Sequence, residues 1–222
     1  MSKIYKLDLL IAIYIFCIVA AEMMGTKTFP LTSFSWMHLN ASVAILFIPL
    51  IYSINDIIIE VYGKERARSV AKSGLVVIVL IIIFSAIATT LPPSTRFAGT
   101  EAAYDTIFHA SLRISAASLA AFIVAQIADI YIFSRLKEKM KNQALWFRNN
   151  FSNIIALFLD TIVFMVLAFY SFDKPFSDNW AFIMSLVIPY WLIKCAMSVL
   201  DTPFVYAGVW WLKKDKPAKA TK

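Results

Sequence analysis

The chain has 222 residues, of which 60% are hydrophobic and 16% are charged, and its formal net charge at pH 7 is +7. Soluble domains are nearer to about 45–50% apolar, so this composition indicates a membrane protein with several spans and excludes a sizeable soluble domain. A basic chain can bind nucleic acid, but the placement of the charges favours membrane orientation instead, with the lipid bilayer as the partner.

Six apolar segments follow one another along the chain. The length of each is close to or above the roughly 20 residues that a helix needs to cross a bilayer. They are predicted at about 8–24, 41–62, 69–91, 107–133, 150–172 and 180–212. Pro49 predicts a kink in the second span, and the sixth is long enough to tilt or to break near Pro189 or Pro203. The predicted fold class is therefore an all-α polytopic membrane protein with six transmembrane helices.

Polar connections separate the predicted spans. The first is predicted as a loop that carries Lys27, Pro30, His38 and Asn40, and residues 134–148 are predicted as a lysine-rich linker. Sixteen of the 21 lysines and arginines fall in the N-terminus, the loop after the second span together with the first turn of the third, this linker and the tail. The positive-inside rule then predicts that both termini are cytoplasmic. We expect a membrane domain at residues 1–212 and a basic cytoplasmic tail at residues 213–222.

The sequence carries no signature of an enzyme. It contains no glycine-rich phosphate loop, no H-E-x-x-H zinc motif and no nucleophile elbow. Cys17 and Cys195 both fall within apolar spans, without the spacing of a metal site or of a disulfide framework. We therefore expect no catalytic residue, no cofactor and no metal ligand.

Two carboxylates, Asp56 and Glu60, end the second predicted span. They are four residues apart and therefore lie on one face of a helix. A carboxylate inside a membrane span is costly, and it usually faces the protein interior or a water-filled cavity. This helix end is therefore a candidate wall of a polar site.

Three later spans carry polar stripes at helical spacing. The stripe of the fourth span consists of Ser111, Ser115, Ser118, Phe122, Gln126 and Asp129. Asn149, Asn153, Ala156 and Asp160 share a face of the fifth span, and Tyr190, Lys194, Met197 and Asp201 share a face of the sixth. So many polar side chains exceed what helix packing needs, which favours an internal cavity for a small polar ligand.

Alternatives remain open for individual residues. The buried charges could pair for purely structural reasons, Lys194 with Glu22 and Arg113 with a neighbour. The rings of Phe122 and Tyr190 could stack on a flat heterocycle or simply pack in the core, and core packing is the commoner use.

Four ordered blocks of residues resemble the queuosine-precursor transporters, also called the vitamin-uptake-transporter-like family. The first consists of Asp56, Glu60, Tyr62, Gly63, Lys64, Arg66, Ala67 and Arg68. The others are 117–122 with Gln126 and Asp129, then 145–150 with Asp160 and Thr161, and finally Asp201, Thr202, Pro203 and Tyr206. The chain departs from the family pattern at Ser152-Asn153 and at 156–159, which bear on substrate detail.

This resemblance implies an inner-membrane protein that imports 7-cyano- and 7-aminomethyl-7-deazaguanine for queuosine in tRNA. It also implies a fold similar to the substrate-binding components of vitamin transporters. The alternative function is such a component, dependent on an ATP-driven partner. Docking on that partner usually involves an Ala-x-x-x-Ala motif in the first span, but here Ala12 is followed four residues later by Phe16.

The resemblance and the polar stripes together define the candidate substrate-binding residues. They are Asp56, Glu60, Phe122, Gln126, Asp129, Arg148, Asn149, Asn150, Asp160, Tyr190, Lys194 and Asp201. Gln126, Asp129, Asn149 and Asp160 are expected to contact the base edge, with Phe122 or Tyr190 stacking. Asp56, Glu60 and Asp201 are candidates for binding the cationic aminomethyl group or for carrying a proton or other cation that couples transport.

Overall fold

A computed structural model describes residues 5–34, 37–139, 145–200 and 202–213 of the chain. These residues form seven α-helices, one 3₁₀ turn and one β-hairpin. In chain order they are α1 (Lys6–Met24), β1 (Thr28–Phe34), β2 (Met37–Ser42), the 3₁₀ turn (Val43–Leu46), α2 (Ile48–Tyr62), α3 (Lys64–Ala88), α4 (Glu101–Lys139), α5 (Leu145–Phe169), α6 (Phe176–Leu200) and α7 (Thr202–Lys213).

Five helical stretches in the described part are long and apolar enough to cross a membrane. They are Lys6–Met24, Val43–Tyr62, Lys64–Ala88, Glu101–Ala125 and Phe176–Ala196, and a shorter apolar stretch lies at Ile154–Phe169 in α5. The prediction of an all-α polytopic membrane protein is confirmed. The shorter stretch lies where the fifth of the six spans was predicted.

Two large apolar cores and a small one, in which Ile114 and Ala117 of α4 meet Ala168 of α5, hold the bundle together. The first joins α1, α2, α3 and α7 through residues such as Tyr14, Ile58 and Leu212. The second joins the hairpin and the 3₁₀ turn to α5 and α6, with Met165 and Leu186 fully buried. Helix α4 packs along α3 and α5, so cavities between these groups are lined from several helices.

Two glycines occupy backbone positions near the first core, one in the turn between two helices and one at a close contact between helices. Gly63, between α2 and α3, has a φ of 86° and a ψ of 165°, a conformation that is essentially restricted to glycine. A side chain at Gly208 of α7 would collide with Ile57 of α2. Both positions favour glycine because the backbone must turn sharply or approach a neighbouring helix closely.

The connection after α1 is a β-hairpin, so the prediction of a polar loop there was wrong. The strands β1 and β2 pair antiparallel from Thr28 opposite Ser42 to Phe34 opposite Met37, with an irregularity between Pro30 and Thr32. Proline has no N–H to donate, so it is tolerated at such an interruption of the ladder. The segment is polar overall, but it also contains threonine and phenylalanine residues, which favour β-strands.

The prolines of the second and sixth predicted spans occupy different positions in their helices. Pro49 lies in the first turn of α2, where its missing N–H breaks no helical hydrogen bond, and the predicted second span changes from the 3₁₀ turn to α2 just before it. Pro189 lies inside α6 without ending it. The sixth predicted span is described as two helices, α6 and α7, on either side of Asp201, and Pro203 is in the first turn of α7, in agreement with the predicted break near Pro203.

The predicted linker 134–148 was also too long. Helix α4 continues to Lys139 and α5 begins at Leu145, because lysine, glutamate and arginine are good helix formers in spite of their charge. Residues 140–144, Asp201 and most of the predicted tail, 214–222, lie outside the described residues.

Candidate functional site

A cavity of about 250 Å³ lies inside the bundle, between α1, the 3₁₀ turn and helices α2 to α6. We call it the Glu22 cavity. Its polar lining residues are Glu22 of α1, Ser118 of α4, Asp160 and Thr161 of α5, and Tyr190 and Lys194 of α6. Aliphatic groups and the rings of Phe122 and Phe164 complete the walls. The cavity thus combines an apolar surface with a few convergent polar groups, as small-molecule sites do.

An ion pair joins α5 to α6 at this cavity. Lys194 Nζ lies 2.6 Å from Asp160 Oδ2, and it also donates to Thr161 Oγ1 at 3.1 Å. The side chains of Lys194 and Asp160 are only 11% and 26% exposed, so each charge needs the other in this setting. The alternative in which Lys194 pairs with Glu22 was therefore wrong.

Thr161 extends this arrangement to the backbone of its own helix. Its hydroxyl accepts from Lys194 and donates to the carbonyl oxygen of Leu157 at 2.7 Å. Each hydrogen-bonding role of the hydroxyl is therefore used, and the ammonium group of Lys194 is held between two oxygens. Thr161 belongs to the site. In the sequence, its only signal is its position next to Asp160 in the third group of residues that resembles the family.

Tyr190 connects the cavity to the hairpin. It lies one helical turn before Lys194 on α6, is only 3% exposed and donates from its hydroxyl to the carbonyl oxygen of Ser42 at 3.1 Å. Ser42 in turn donates to the carbonyl oxygen of Gly25 at 2.5 Å, and Asn40 Nδ2 donates to Ser185 Oγ at 2.9 Å. Tyr190 therefore forms a wall of the cavity and also positions the hairpin.

A second cavity, of about 460 Å³, lies on the other side of Phe122 and Asp160, and we call it the Asn55 cavity. Phe122 and Asp160 line both cavities. The remaining polar lining comes from Tyr14, Tyr52 and Asn55. Tyr52 lies one turn before Asp56 on α2, so a search at helical spacing from Asp56 would have found it, whereas Asn55 directly precedes Asp56 and has no such spacing.

Asp56 and Glu60 do not line either cavity. Glu60 is exposed and Asp56 is half-buried near the end of α2. Ile57 and Ile58 are buried in the first core, which directs the neighbouring carboxylates elsewhere on the helix surface. The structure thus does not bring these two acids to the ion pair.

Several other predicted residues cannot be placed at atomic detail. The backbones of Gln126 and Asp129 belong to α4, and those of Arg148, Asn149 and Asn150 belong to α5. The side chains of all five, and Asp201 altogether, lie outside the described part of the chain.

Arg113 has a structural role. Its Nε donates to the carbonyl oxygen of Leu167 at 2.8 Å, and a terminal nitrogen donates to that of Tyr170 at 2.5 Å. A cation at the C-terminal end of α5 satisfies carbonyls that lack helical partners and complements the helix dipole. The alternative of a purely structural role for Arg113 thus agrees with its contacts, although its partners among the described residues are backbone carbonyls and not a charged neighbour.

Glu22 is the residue whose place in the site was missed. It is 6% exposed, lines the cavity, and its Oε2 has no hydrogen-bond partner among the described residues. The sequence signal was a single acid near the end of an otherwise apolar first span, which was considered only as a partner for Lys194.

Apolar helices around an internal cavity with buried charges define a multi-pass membrane protein of the transporter class. The chain belongs to the family described as "Putative vitamin uptake transporter", which matches residues 42–208. The predicted family resemblance is confirmed.

Three curated proteins are similar to the chain over much of its length. A "Probable queuosine precursor transporter" of Bacillus subtilis is 28% identical over 203 residues, which cover 90% of this chain and 83% of the relative. One of the same description from Haemophilus influenzae is 30% identical over 140 residues, covering 61% of this chain and 55% of the relative. The "Queuosine precursor transporter" of Escherichia coli is 23% identical over 156 residues, covering 68% and 65%. No solved structure matches the chain.

Proposed function

We propose that this protein imports queuosine precursors, the 7-cyano and 7-aminomethyl forms of 7-deazaguanine, across the cell inner membrane for salvage into tRNA. The names of the three relatives support this substrate class. The observation that carries the proposal is the Glu22 cavity, with its ion pair of Lys194 and Asp160 beside Phe122. The protein moves the base without a chemical step.

The cavity chemistry suits a deazaguanine. Such a base presents a carbonyl oxygen, amide and amine N–H donors along its edge, and a flat π face. Lys194 can donate to the carbonyl oxygen, carboxylates can accept from the N–H groups, and Phe122 can cover a face of the ring. A volume of about 250 Å³ is just below the about 300–1,000 Å³ of drug-sized sites, as befits a single small heterocycle.

The two cavities suggest a route through the bundle. With both termini cytoplasmic, as the charge distribution favours, the Glu22 cavity lies in the outer half and the Asn55 cavity in the cytoplasmic half. Phe122 and Asp160 border both, so a base that leaves the first site passes these two side chains. Movement of Phe122 and exchange of the partners of Asp160 then connect the two compartments.

The test uses cells that cannot synthesise queuosine and lack an importer of their own. Expression of this protein should restore queuosine in tRNA when 7-cyano-7-deazaguanine is supplied. Asp160→Asn should lower uptake of labelled precursor by about 10–100-fold, because a hydrogen bond to a charged group contributes roughly 1.5–3 kcal/mol. Asp178→Asn, at an exposed position in the first turn of α6, is the matched control and should leave uptake unchanged.

Two results would contradict the proposal. If cells expressing the wild-type protein at normal membrane levels take up no more precursor than cells without it, the substrate class is wrong. If Asp160→Asn takes up precursor as well as Asp178→Asn does, the cavity is not the binding site. Repeating the assay after dissipating the proton gradient reports whether uptake is coupled to protons.

A further inference from the structure

Glu22 is a buried acid of the site that the described residues satisfy only in part, because Ser118 of α4 is a hydrogen-bonding neighbour of its carboxyl group but Oε2 is left without a donor. Its side chain lines the Glu22 cavity and is 6% exposed, and Oε2 accepts no hydrogen bond in the described part of the chain. A buried carboxylate is unfavourable unless it is paired or hydrogen-bonded. The open acceptor therefore indicates a ligand that brings donors of its own.

The cations that lie within the predicted spans are engaged elsewhere. Lys194 lines the same cavity but holds Asp160 at 2.6 Å and Thr161 at 3.1 Å. Arg113 donates to the carbonyl oxygens of Leu167 and Tyr170. Of the two acids that line the cavity, Asp160 is thus neutralised by an ion pair, and Glu22 is the one with acceptor capacity left for a ligand.

The backbone around Glu22 is held in place from two sides. The buried hydroxyl of Ser111 on α4 donates to the carbonyl oxygen of Glu22 itself at 3.1 Å. The hydroxyl of Ser42, at the end of the hairpin, donates to the carbonyl oxygen of Gly25 at 2.5 Å. The end of α1 is therefore fixed between α4 and the hairpin, and a positioned acceptor loses little further entropy when a ligand binds.

We propose that Glu22 is the residue that selects the 2-amino group of the base, by accepting from the ring amide N–H and the exocyclic amine along one edge. This inference rests on the proposed function. A carboxylate has two acceptor oxygens and no donor, so it matches two parallel N–H groups and mismatches an edge that presents an acceptor. A base without the 2-amino group would leave one buried oxygen unpaired, the situation in which polar sites discriminate most strongly.

The experiment measures binding of two ligands to the purified full chain in lipid nanodiscs. The ligands are 7-cyano-7-deazaguanine and the same ring without its 2-amino group, and the readout is the ratio of their Kd values. Wild-type protein should favour the 2-amino form by about 10–100-fold, as expected for one charge-assisted hydrogen bond. Glu22→Gln should reduce the ratio to about threefold or less. The side-chain amide of glutamine has an NH₂ group, which would face the N–H donors of the ligand instead of accepting from them.

Two further variants complete the series. Glu22→Asp keeps the charge on a shorter side chain and should give an intermediate ratio. Glu65→Gln is the matched control, since the side chain of Glu65 is 88% exposed and pairs with Arg68 at the surface, and it should keep the wild-type ratio. A ratio of two affinities does not depend on how much of each variant is folded.

The outcomes separate this inference from the proposed function. A Glu22→Gln protein that keeps the wild-type ratio, or that loses affinity for both ligands equally, overturns the role of Glu22 while import of precursors stands. A wild-type protein that binds neither base overturns the proposed function and this inference together. Loss of the ratio in Glu22→Gln but not in Glu65→Gln supports it.

Discussion

The two cavities of the bundle differ in size and in charge. The Glu22 cavity, of about 250 Å³, has two acids and a lysine in its walls. The Asn55 cavity is larger, about 460 Å³, and apart from the shared Asp160 its polar lining is neutral: Tyr14, Tyr52 and Asn55. A small charged site can hold one ligand in one orientation, whereas a larger neutral one imposes fewer directional contacts. We infer that selection belongs to the first cavity and passage to the second.

The closure of the two cavities differs as well. The hairpin leads into the 3₁₀ turn whose Ala44 lines the Glu22 cavity, and Tyr190 and Asn40 tie the hairpin to α6. The walls of the Asn55 cavity include the apolar side chains of Ile51, Ala71 and Leu157. Hydrogen bonds depend strongly on distance and direction, so a small displacement breaks them. Such contacts suit a site that is either closed or open. The variants below test each side of this contrast.

The largest effect is expected from breaking the ion pair in the charged cavity. Lys194→Met leaves Asp160 as an uncompensated, mostly buried charge and should destabilise the protein by up to about 3–5 kcal/mol. The double variant Lys194→Met with Asp160→Leu should recover most of that stability but no transport, because both polar groups are gone. Unfolding in detergent and precursor uptake measure the two properties separately. Equal instability of the single and double variants would show that the pair is not what stabilises α5 against α6.

Phe122 lies between the cavities, and its replacement should affect binding more than stability. Phe122→Ala should weaken binding of the base by about 5–100-fold, since stacking of a base on an aromatic ring contributes roughly 1–3 kcal/mol. Phe122→Tyr retains the ring and should bind nearly as well as the wild type. Phe84→Ala, at an exposed position of α3, is the control. If Phe122→Ala and Phe84→Ala show the same Kd, stacking on Phe122 is excluded.

A smaller effect is expected from loosening the hairpin. Tyr190→Phe removes the hydroxyl that donates to Ser42 and should cost about 1 kcal/mol, the typical net value of one buried hydrogen bond. Amide exchange should accelerate in residues 37–42 and remain unchanged in α2 and α3. Accelerated exchange throughout the bundle would instead indicate a global loss of stability. Tyr52→Phe, in the Asn55 cavity, is the matched control and should leave exchange in the hairpin unchanged.

Sequence reasoning located the spans and the site helices, but it could not pair the charges. The apolar runs are long and local, so the positions of α1, α3 and α5 were predictable within a few residues, as was the start of α6. The partner of Lys194 lies 34 residues away on another helix, and helical spacing says only which residues share a face. Glu22 shows the same limit: its burial depends on where α4 and the hairpin meet α1, a tertiary contact that no local pattern encodes.

The smallest effect concerns the turn between α5 and α6, beyond the hairpin end of the charged cavity. The Ser171 hydroxyl donates to Asp173 and lowers the pKa of that carboxyl from its ordinary 3.8. Because the pKa is depressed in the folded protein, the contribution to stability is present above the ordinary value and is lost as the pH falls through the folded pKa. Ser171→Ala should therefore raise the pKa of Asp173 towards 3.8, as followed by ¹³C NMR of labelled aspartate, without changing Kd for the base at neutral pH. A change of Kd in Ser171→Ala would contradict the separation of this turn from the cavity.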